Sequence, residues 1–169
     1  PDYGAYATYL EWLIAENAVG VAINMDTGEG PQLSFAERKR VAEVAVETVG
    51  ARCTVVAGVM GATTQDAVNM AKMYQAVGVD GLVVFPNAAF RNEPLDLRIP
   101  FEYHHTIAAE TGLPLILFQL APVFGGVNYT RETLLRLLGL CHSLESVAMI
   151  CFSNALPSRQ SLNAYWALT

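Results

Sequence analysis

The sequence has few charged residues, and positive charge is the scarcest. Asp, Glu, Lys and Arg make up 15% of the 169 residues, compared with about 25% in an average globular domain. The 16 acidic residues outnumber the 10 basic ones, the formal net charge is -6, and the only lysines are Lys39 and Lys72. Because neutralising phosphates requires clustered basic side chains, nucleic acid is not expected as a partner.

Paired cysteines and long apolar runs are also lacking. Cys53, Cys141 and Cys151 are odd in number and have no C-x-x-C spacing, so we predict neither a disulfide framework nor a metal site, and we expect no cofactor. No apolar stretch approaches the ~18 residues that cross a bilayer, and the N-terminus lacks a secretion-signal pattern. These features predict a cytoplasmic protein with no membrane association.

What the sequence does contain is a regular series of apolar runs, within a composition that is 53% hydrophobic. The runs recur at intervals of roughly 30 residues, as βα units do. Because they are continuous rather than alternating, they predict strands that are covered on both faces, which is typical of a parallel sheet. The predicted strands are Val19–Asn24, Thr54–Val59, Gly81–Pro86, Pro114–Leu120 and Val147–Phe152.

Amphipathic patterns between these runs predict helices near 5–17, 34–49, 63–77, 98–110, 130–141 and 158–168. Ser34 and Glu37 have the spacing of a capping box, and Thr63 and Thr130 give similar helix-start signals. No linker or shift in composition divides the chain, so residues 1–169 are interpreted as a single domain.

Two α/β architectures fit this order of elements. A five-stranded doubly wound sheet suits the length, whereas a (β/α)8 TIM barrel typically needs about 250 residues. The periodicity alone therefore favours the complete doubly wound sheet.

Several segments carry a family resemblance when they are taken in order. The first run leads into Asp26-Thr27-Gly28-Glu29 and then Leu33-Ser34, and the second contains Val55-Val56-Ala57-Gly58-Val59 followed by Thr63-Thr64. The later runs are Gly78–Pro86 and Leu113–Gln119. These segments resemble the strands and strand-end loops of the dihydrodipicolinate synthase and N-acetylneuraminate lyase family of (β/α)8-barrel aldolases.

The resemblance runs through essentially the whole chain and overrides the periodicity argument. It implies a TIM barrel of which the chain covers roughly the first helix to the sixth helix. The first strand and the last two βα units of the family have no counterpart in the sequence. Since an open partial barrel would expose sheet edges, we expect a longer molecule.

The same resemblance implies a class I aldolase-type lyase that acts on a small 2-oxo acid such as pyruvate. In that chemistry a lysine at the end of the sixth barrel strand forms a Schiff base with the substrate. A tyrosine on the fifth strand relays protons, and a Thr-Thr pair binds the carboxylate. Here Asp26 replaces the first threonine, Thr27 and Gly28 match the family loop, and Phe118 occupies the tyrosine position.

Phe118 has no hydroxyl group and cannot pass a proton, so a dihydrodipicolinate synthase as such is not expected. We expect the substrate carboxylate to lie against the Thr27 hydroxyl and the amides of Asp26 to Gly28. The mouth of this site is predicted near Asn24, Pro86, Gln119 and Ile150. Asp26 can also be interpreted as a turn former that hydrogen-bonds its own backbone.

The expected lysine is not written in the sequence. Residues 147–153 match the lysine-bearing strand of the family only if one residue is inserted between Ile150 and Cys151. Lys39 and Lys72 lie inside helical patterns and cannot replace it. Two interpretations stay open: a modified lysine is missing from the one-letter sequence, or the chain is an inactive barrel that binds a carboxylate ligand or acts as a scaffold subunit.

Two smaller predictions concern histidines and assembly. His104 and His105 are adjacent on a predicted helix and point about 100° apart, so they cannot bind one metal ion together. We interpret them as one half-buried and one solvated residue. The low charge content and the aromatic-rich chain ends, together with the resemblance, predict a homo-oligomer, either a dimer or a tetramer.

Overall fold

The computed structural model describes residues 1–90, 96–120, 127, 129–144 and 147–153. Helices and strands alternate along this part of the chain and confirm the predicted order of elements. The helices are α1 (Tyr3–Ala15), α2 (Phe35–Val49), α3 (Thr64–Val77), α4 (Arg98–Thr111) and α5 (Arg131–Leu144). The strands are β1 (Gly20–Ile23), β2 (Thr54–Val59), β3 (Gly81–Val84), β4 (Leu115–Leu120) and β5 (Val147–Ser153). The helix predicted at 158–168 lies outside the described residues.

The sheet is parallel, and its strands lie side by side in chain order from β1 to β5. A doubly wound sheet reverses its strand order at a switch point, because its crossovers place helices on both faces. No reversal occurs among the described strands. The doubly wound alternative, which the periodicity favoured, is therefore wrong, and the order is that of a β/α barrel.

The two faces of the sheet are covered differently. Val21, Val55, Leu82 and Leu117 face the helices and belong to the main core, which includes buried residues of α1 to α5. The opposite face carries a smaller apolar cluster built on Val83, Phe85 and Phe118, and no helix residue belongs to that cluster. The prediction of strands covered on both faces fits β3, which is buried throughout. In a barrel one face of the sheet meets the helices and the other faces the interior.

The helix starts form as their sequences predict. The Ser34 hydroxyl accepts a hydrogen bond from the Glu37 amide at 3.3 Å, and the Glu37 carboxylate accepts one from the Ser34 amide at 2.8 Å. The Ser34 hydroxyl and the Ser34 amide both donate to the Glu37 carboxylate and hold the pKa of Glu37 below its ordinary value. Thr63 and Asp66 make the same reciprocal pair at the start of α3. None of the helices described is long and apolar enough to cross a membrane.

Candidate functional site

The carboxyl ends of the strands lie at one edge of the parallel sheet, where barrel proteins assemble their sites. The loop after β1 contains residues 24–34, a shorter segment beginning at Met60 follows β2, and a further segment begins at Phe85 after β3. Phe118 and Gln119 lie near the end of β4. This edge therefore brings together the candidate residues that belong to β1 and β4.

The side chain of Asn24 links the end of β1 to α2 and α3 through hydrogen bonds. Its backbone has a left-handed φ of 52°, and its Nδ2 donates to the Arg38 carbonyl at 3.0 Å and to the Tyr74 hydroxyl at 2.9 Å. The Arg38 guanidinium donates in turn to the carbonyls of Leu33 and Pro31 at 3.0 and 3.1 Å. Burial raises the pKa of Tyr74 to about 12, so its hydroxyl stays protonated. Hydrogen bonds thus fix the loop after β1 at its start, through Asn24, and near its end, through Arg38.

Two glycines allow this loop to fold over the end of β2. A Cβ at Gly58 would lie 2.6 Å from the Asn24 carbonyl oxygen and 3.2 Å from the Met25 sulfur, and a Cβ at Gly30 would collide with the same carbonyl. Gly28 is different, because a Cβ there would meet nothing within 4 Å. The described residues therefore leave the space above Gly28 open.

The candidate substrate-binding residues form a short 3-10 turn, Asp26–Gly28. The Asp26 carboxylate accepts from the Thr27 amide at 2.9 Å, and the Gly28 amide donates to the Met25 carbonyl at 3.2 Å. Asp26 is half-buried, whereas Thr27 and Gly28 are exposed. Two of the amides predicted to bind a carboxylate thus have acceptors within the turn, as expected of an aspartate that forms a turn.

Phe118 lies on the inner face of the sheet, away from the helices. Its ring packs against that of Phe85 with the centroids 4.4 Å apart. Met25 and Met60, both half-buried, pack against the same cluster. The register pairs Phe118 with Cys151. No lysine stands at the strand position beside Phe118 in the chain as written.

β5 pairs with β4 without a break over the relevant stretch. The register is regular from the Ile116–Met149 pair to the Leu120–Ser153 pair, with an irregularity only at Leu115. The strand as written therefore needs no added residue after Ile150 to stay in register. The inserted lysine remains a prediction.

Both lysines of the sequence lie on the outer surface of helices, as predicted. The Lys39 ammonium is 3.6 Å from the Glu43 carboxylate on α2, and that of Lys72 is 2.5 Å from Glu110, which links α3 to α4. Both ammonium-bearing side chains are about half exposed. Neither lysine lies at the edge of the sheet formed by the carboxyl ends of the strands.

Two residues predicted at the mouth of the site point toward the helical layer instead. The Asn24 amide reaches α2 and α3, as described above. Gln119 is buried and its Oε1 accepts from the Tyr129 amide at 2.5 Å. Strand alternation turns Gln119 away from the face that carries Phe118. Asn24 and Gln119 thus mark the ends of their strands, and the position of the mouth stays a prediction. Pro86 is half-buried, and the Ile150 side chain lies outside the described part.

His104 belongs to a buried polar group that sequence reasoning missed. Its ring is fully buried, its Nδ1 is 2.8 Å from the Pro100 carbonyl, and it meets Tyr103 and Tyr129 edge to face at 5.1 and 5.7 Å between centroids. Burial lowers its pKa to about 4. His105 is half-buried and stacks on a neighbouring ring. The expected pairing of one half-buried with one solvated histidine is therefore wrong.

A signal for His104 was present in the sequence. Pro100, Tyr103, Ile107 and Thr111 are buried together with His104, and their spacing of three and four residues marks one helix face. Within the ranges described, no group of three or more His, Cys, Asp or Glu residues could hold a metal ion.

The sheet order, the single helical layer and the strand-end loop define a protein of the β/α-barrel class. A sequence model of the Dihydrodipicolinate synthetase family matches residues 2–149. A 4-hydroxy-tetrahydrodipicolinate synthase of Gluconacetobacter diazotrophicus is 32% identical over 136 residues, which is 80% of this chain and 44% of the relative. A Rhizobium meliloti protein named an uncharacterized DapA-like lyase is 36% identical over 167 residues, 97% of this chain and 49% of the relative.

Solved structures agree with these matches. The 4-hydroxy-tetrahydrodipicolinate synthase of Methylacidiphilum fumariolicum superposes with a TM-score of 0.80 at 27% identity, over 95% of this chain and 51% of that one. N-acetylneuraminate lyase from Fusobacterium nucleatum shares the fold with a TM-score of 0.75 at 22% identity, over 91% and 50% of the two chains. The chain belongs to the dihydrodipicolinate synthetase family, and it spans about half the length of the curated relatives it matches.

Proposed function

We propose that this chain provides the strand-end site of a lyase that acts on a small 2-oxo acid. The observation that carries the proposal is the exposed Thr27-Gly28 turn at the carboxyl end of β1, in a chain of this family. The Thr27 hydroxyl can donate to the carboxylate of the substrate, and the open space above Gly28 lets that carboxylate approach the backbone.

The chemistry that fits this site is Schiff-base formation, in which a lysine amine condenses with the 2-oxo group and the resulting imine accepts electrons from a breaking or forming bond. Lys39 and Lys72 are held on the outer helices, so the amine must come from a residue that the written sequence lacks at β5 or from elsewhere in the protein. The presence or absence of such a lysine therefore decides whether the protein can be an active enzyme of this type.

Proton transfer differs from the family pattern in this proposal. Phe118 carries no ionisable group and packs on Phe85. Asp26 is the ionisable side chain of the turn that presents Thr27, and we assign to it the role of proton donor or acceptor at the rim. A carboxylate there also repels an anionic substrate, by about 1 kcal/mol at contact distance in bulk water. The reaction is accordingly proposed to differ from that of dihydrodipicolinate synthase itself.

A second candidate is an inactive barrel that binds a carboxylate ligand or serves as a scaffold subunit. Two observations favour it: Phe118 stands where the resemblance expects tyrosine, and β5 pairs with β4 in a regular register with no lysine written between Ile150 and Cys151. We also propose that the protein is a homo-oligomer. The exposed, stacked rings of Tyr9 and Trp12 on α1 support this, because exposed aromatic pairs are typical of surfaces covered on assembly.

One experiment separates the two candidates. The full protein is treated with pyruvate and borohydride, and its intact mass is measured. The lyase predicts a covalent adduct that peptide mapping assigns to a lysine. An unchanged mass, together with a peptide in which Ile150 is followed directly by Cys151, contradicts the Schiff-base mechanism and supports the inactive barrel.

A further inference from the structure

Toward the carboxyl edge of the sheet, the inner face of strands β1 to β4 carries apolar side chains, and Thr54, at the opposite end of β2, is the polar residue on this face. Alternation along each strand turns one set of residues toward the helices and the other set inward. Beyond Thr54, the inward set includes Ala22, Val56, Gly58, Val83, Ile116 and Phe118, and Phe85 follows β3 in the same cluster. The half of this face nearest the carboxyl edge is therefore apolar across the four strands.

The apolar character extends to the strand ends. Met25 follows β1, Met60 follows β2, Phe85 follows β3, and Phe118 lies near the end of β4; we refer to these four side chains as the apolar shelf. Phe85 and Phe118 are buried against each other, whereas Met25 and Met60 are half-buried. Methionine adapts to ligands of varied shape, and it packs well against aromatic rings.

The shelf adjoins the predicted carboxylate turn. Met25 directly precedes Asp26. Its carbonyl accepts hydrogen bonds from the amides of Gly28 and Gly30 at 3.2 and 2.9 Å. The same residue therefore stabilises the turn through its backbone and contributes its side chain to the shelf. A ligand whose carboxylate lies at Thr27 is close to Met25, which packs against the cluster that contains Phe85 and Phe118. A hydroxyl or second carboxylate placed there would lose water, and the four side chains of the shelf, which belong to the described part of the chain, offer it no hydrogen-bond donor.

We propose that the 2-oxo acid carries an apolar substituent and that Met25, Met60, Phe85 and Phe118 select it. The inference rests on the proposed function, and it names the substrate class for that site. The carboxylate provides the polar anchor at the Thr27 turn, and the aliphatic or aromatic substituent packs on the shelf. Discrimination against polar substituents arises because their hydrogen-bonding groups would be buried without partners.

Calorimetry with the full chain tests the inference through a series of straight-chain 2-oxo acids: pyruvate, 2-oxobutyrate, 2-oxovalerate and 2-oxohexanoate. Affinity is expected to rise by up to about fourfold for each added methylene group that the shelf buries. The polar comparison is 2-oxoglutarate, which has the same carbon number as 2-oxovalerate and ends in a second carboxylate. It is expected to bind at least tenfold more weakly than 2-oxovalerate.

Two matched variants assign the selectivity to the shelf. Phe85→Leu removes ring surface from the shelf, and Phe90→Leu removes a ring that is equally buried but lies in the helical layer beside Tyr103. Phe85→Leu should reduce the increase in affinity from pyruvate to 2-oxohexanoate. Phe90→Leu should leave that increase unchanged. If Phe85→Leu does not fold, Met60→Gln takes its place. The two side chains are similar in size and position 60 is half-buried, so this substitution disturbs the fold less.

The outcomes distinguish failure of the shelf inference from failure of the proposed function. Equal affinity along the series, preference for 2-oxoglutarate, or a rise that persists in both Phe85→Leu and Met60→Gln overturns the shelf inference while 2-oxo acid binding stands. Failure of every 2-oxo acid to bind overturns the proposed function, and the inference falls with it.

Discussion

The side-chain amide of Asn24 donates a buried hydrogen bond of 2.9 Å to the hydroxyl of Tyr74, 50 residues further along the chain. The bond joins the end of β1 to α3, so it fixes where the strand stops and where the Asp26–Gly28 turn begins. A backbone φ of 52° at Asn24 accompanies it, a left-handed conformation that asparagine tolerates better than most residues.

Tyr74→Phe should lower the free energy of unfolding by about 1–2 kcal/mol, because the buried Asn24 amide loses an acceptor. Urea unfolding measures the change. Tyr9→Phe is the control, since Tyr9 is an exposed residue on α1. A Tyr74→Phe protein as stable as the unaltered one would show that the bond contributes nothing net to folding.

Gly58→Ala should destabilise the protein by about 1–3 kcal/mol, because the added methyl group overlaps the Asn24 carbonyl and forces the backbone to shift. Gly139→Ala is the matched control: it lies within α5, its Cβ would meet nothing within 4 Å, and alanine is the better helix former by about 1 kcal/mol. Thermal unfolding of the two variants should shift in opposite directions. A shift in the same direction would contradict the close approach at Gly58.

Thr27→Val should weaken the binding of a 2-oxo acid by about 1 kcal/mol or more, through loss of a hydrogen bond to a charged group. Isothermal calorimetry with pyruvate measures it. Thr8→Val is the control, because the Thr8 hydroxyl is engaged by the Gly4 carbonyl on the surface of α1. Unchanged affinity in Thr27→Val would place the carboxylate at another strand end.

Asp26→Thr should strengthen binding of the same ligand, since it removes a negative charge beside the predicted carboxylate position. The gain should shrink as salt concentration rises, because the half-buried site is partly screened. If Asp26→Thr binds more weakly at every salt concentration, the aspartate contributes to binding mainly through the turn that its carboxylate caps.

Stability should fall as the pH decreases from about 6.5 toward 4, in part because of His104. Burial holds the pKa of His104 at about 4 in the folded protein, below the value of about 6.5 for an exposed histidine. In this window the unfolded chain binds a proton that the folded chain excludes, so acid favours unfolding. His104→Phe should reduce the loss between pH 7 and pH 5 by about 2 kcal/mol.

Urea titrations at the two pH values measure this difference. His105→Phe is the control, and it should retain the acid sensitivity because His104 stays in place. Equal acid sensitivity in His104→Phe and the unaltered protein would show that His104 gains a proton without cost, in contradiction to its fully buried position.

Light scattering at micromolar concentration should return a dimer or a tetramer. Trp12→Glu is expected to shift the population toward smaller species if the Tyr9–Trp12 pair lies in the interface, whereas Ala15→Glu, at the end of the same helix, serves as the control. A strictly monomeric protein would contradict the prediction of a homo-oligomer.

The sequence by itself determined the order of the elements, and it supplied the residues proposed for the site. The positions of the five described strands and of the helix caps follow from local patterns, as the Ser34–Glu37 box illustrates. The family resemblance, which the comparisons confirm, depends on short motifs such as the turn at Thr27. Local patterns suffice here because capping and strand formation involve residues only a few positions apart.

The tertiary structure alone decided how these elements combine. Strand order excluded the doubly wound sheet, and strand alternation turned Gln119 toward the helices while Phe118 faced inward. The burial of His104 and the bond from Asn24 to Tyr74 depend in the same way on residues far apart in sequence. Periodicity shows that a strand is apolar, but only the packing of distant helices against one side of the sheet determines which face becomes the core and which becomes the site.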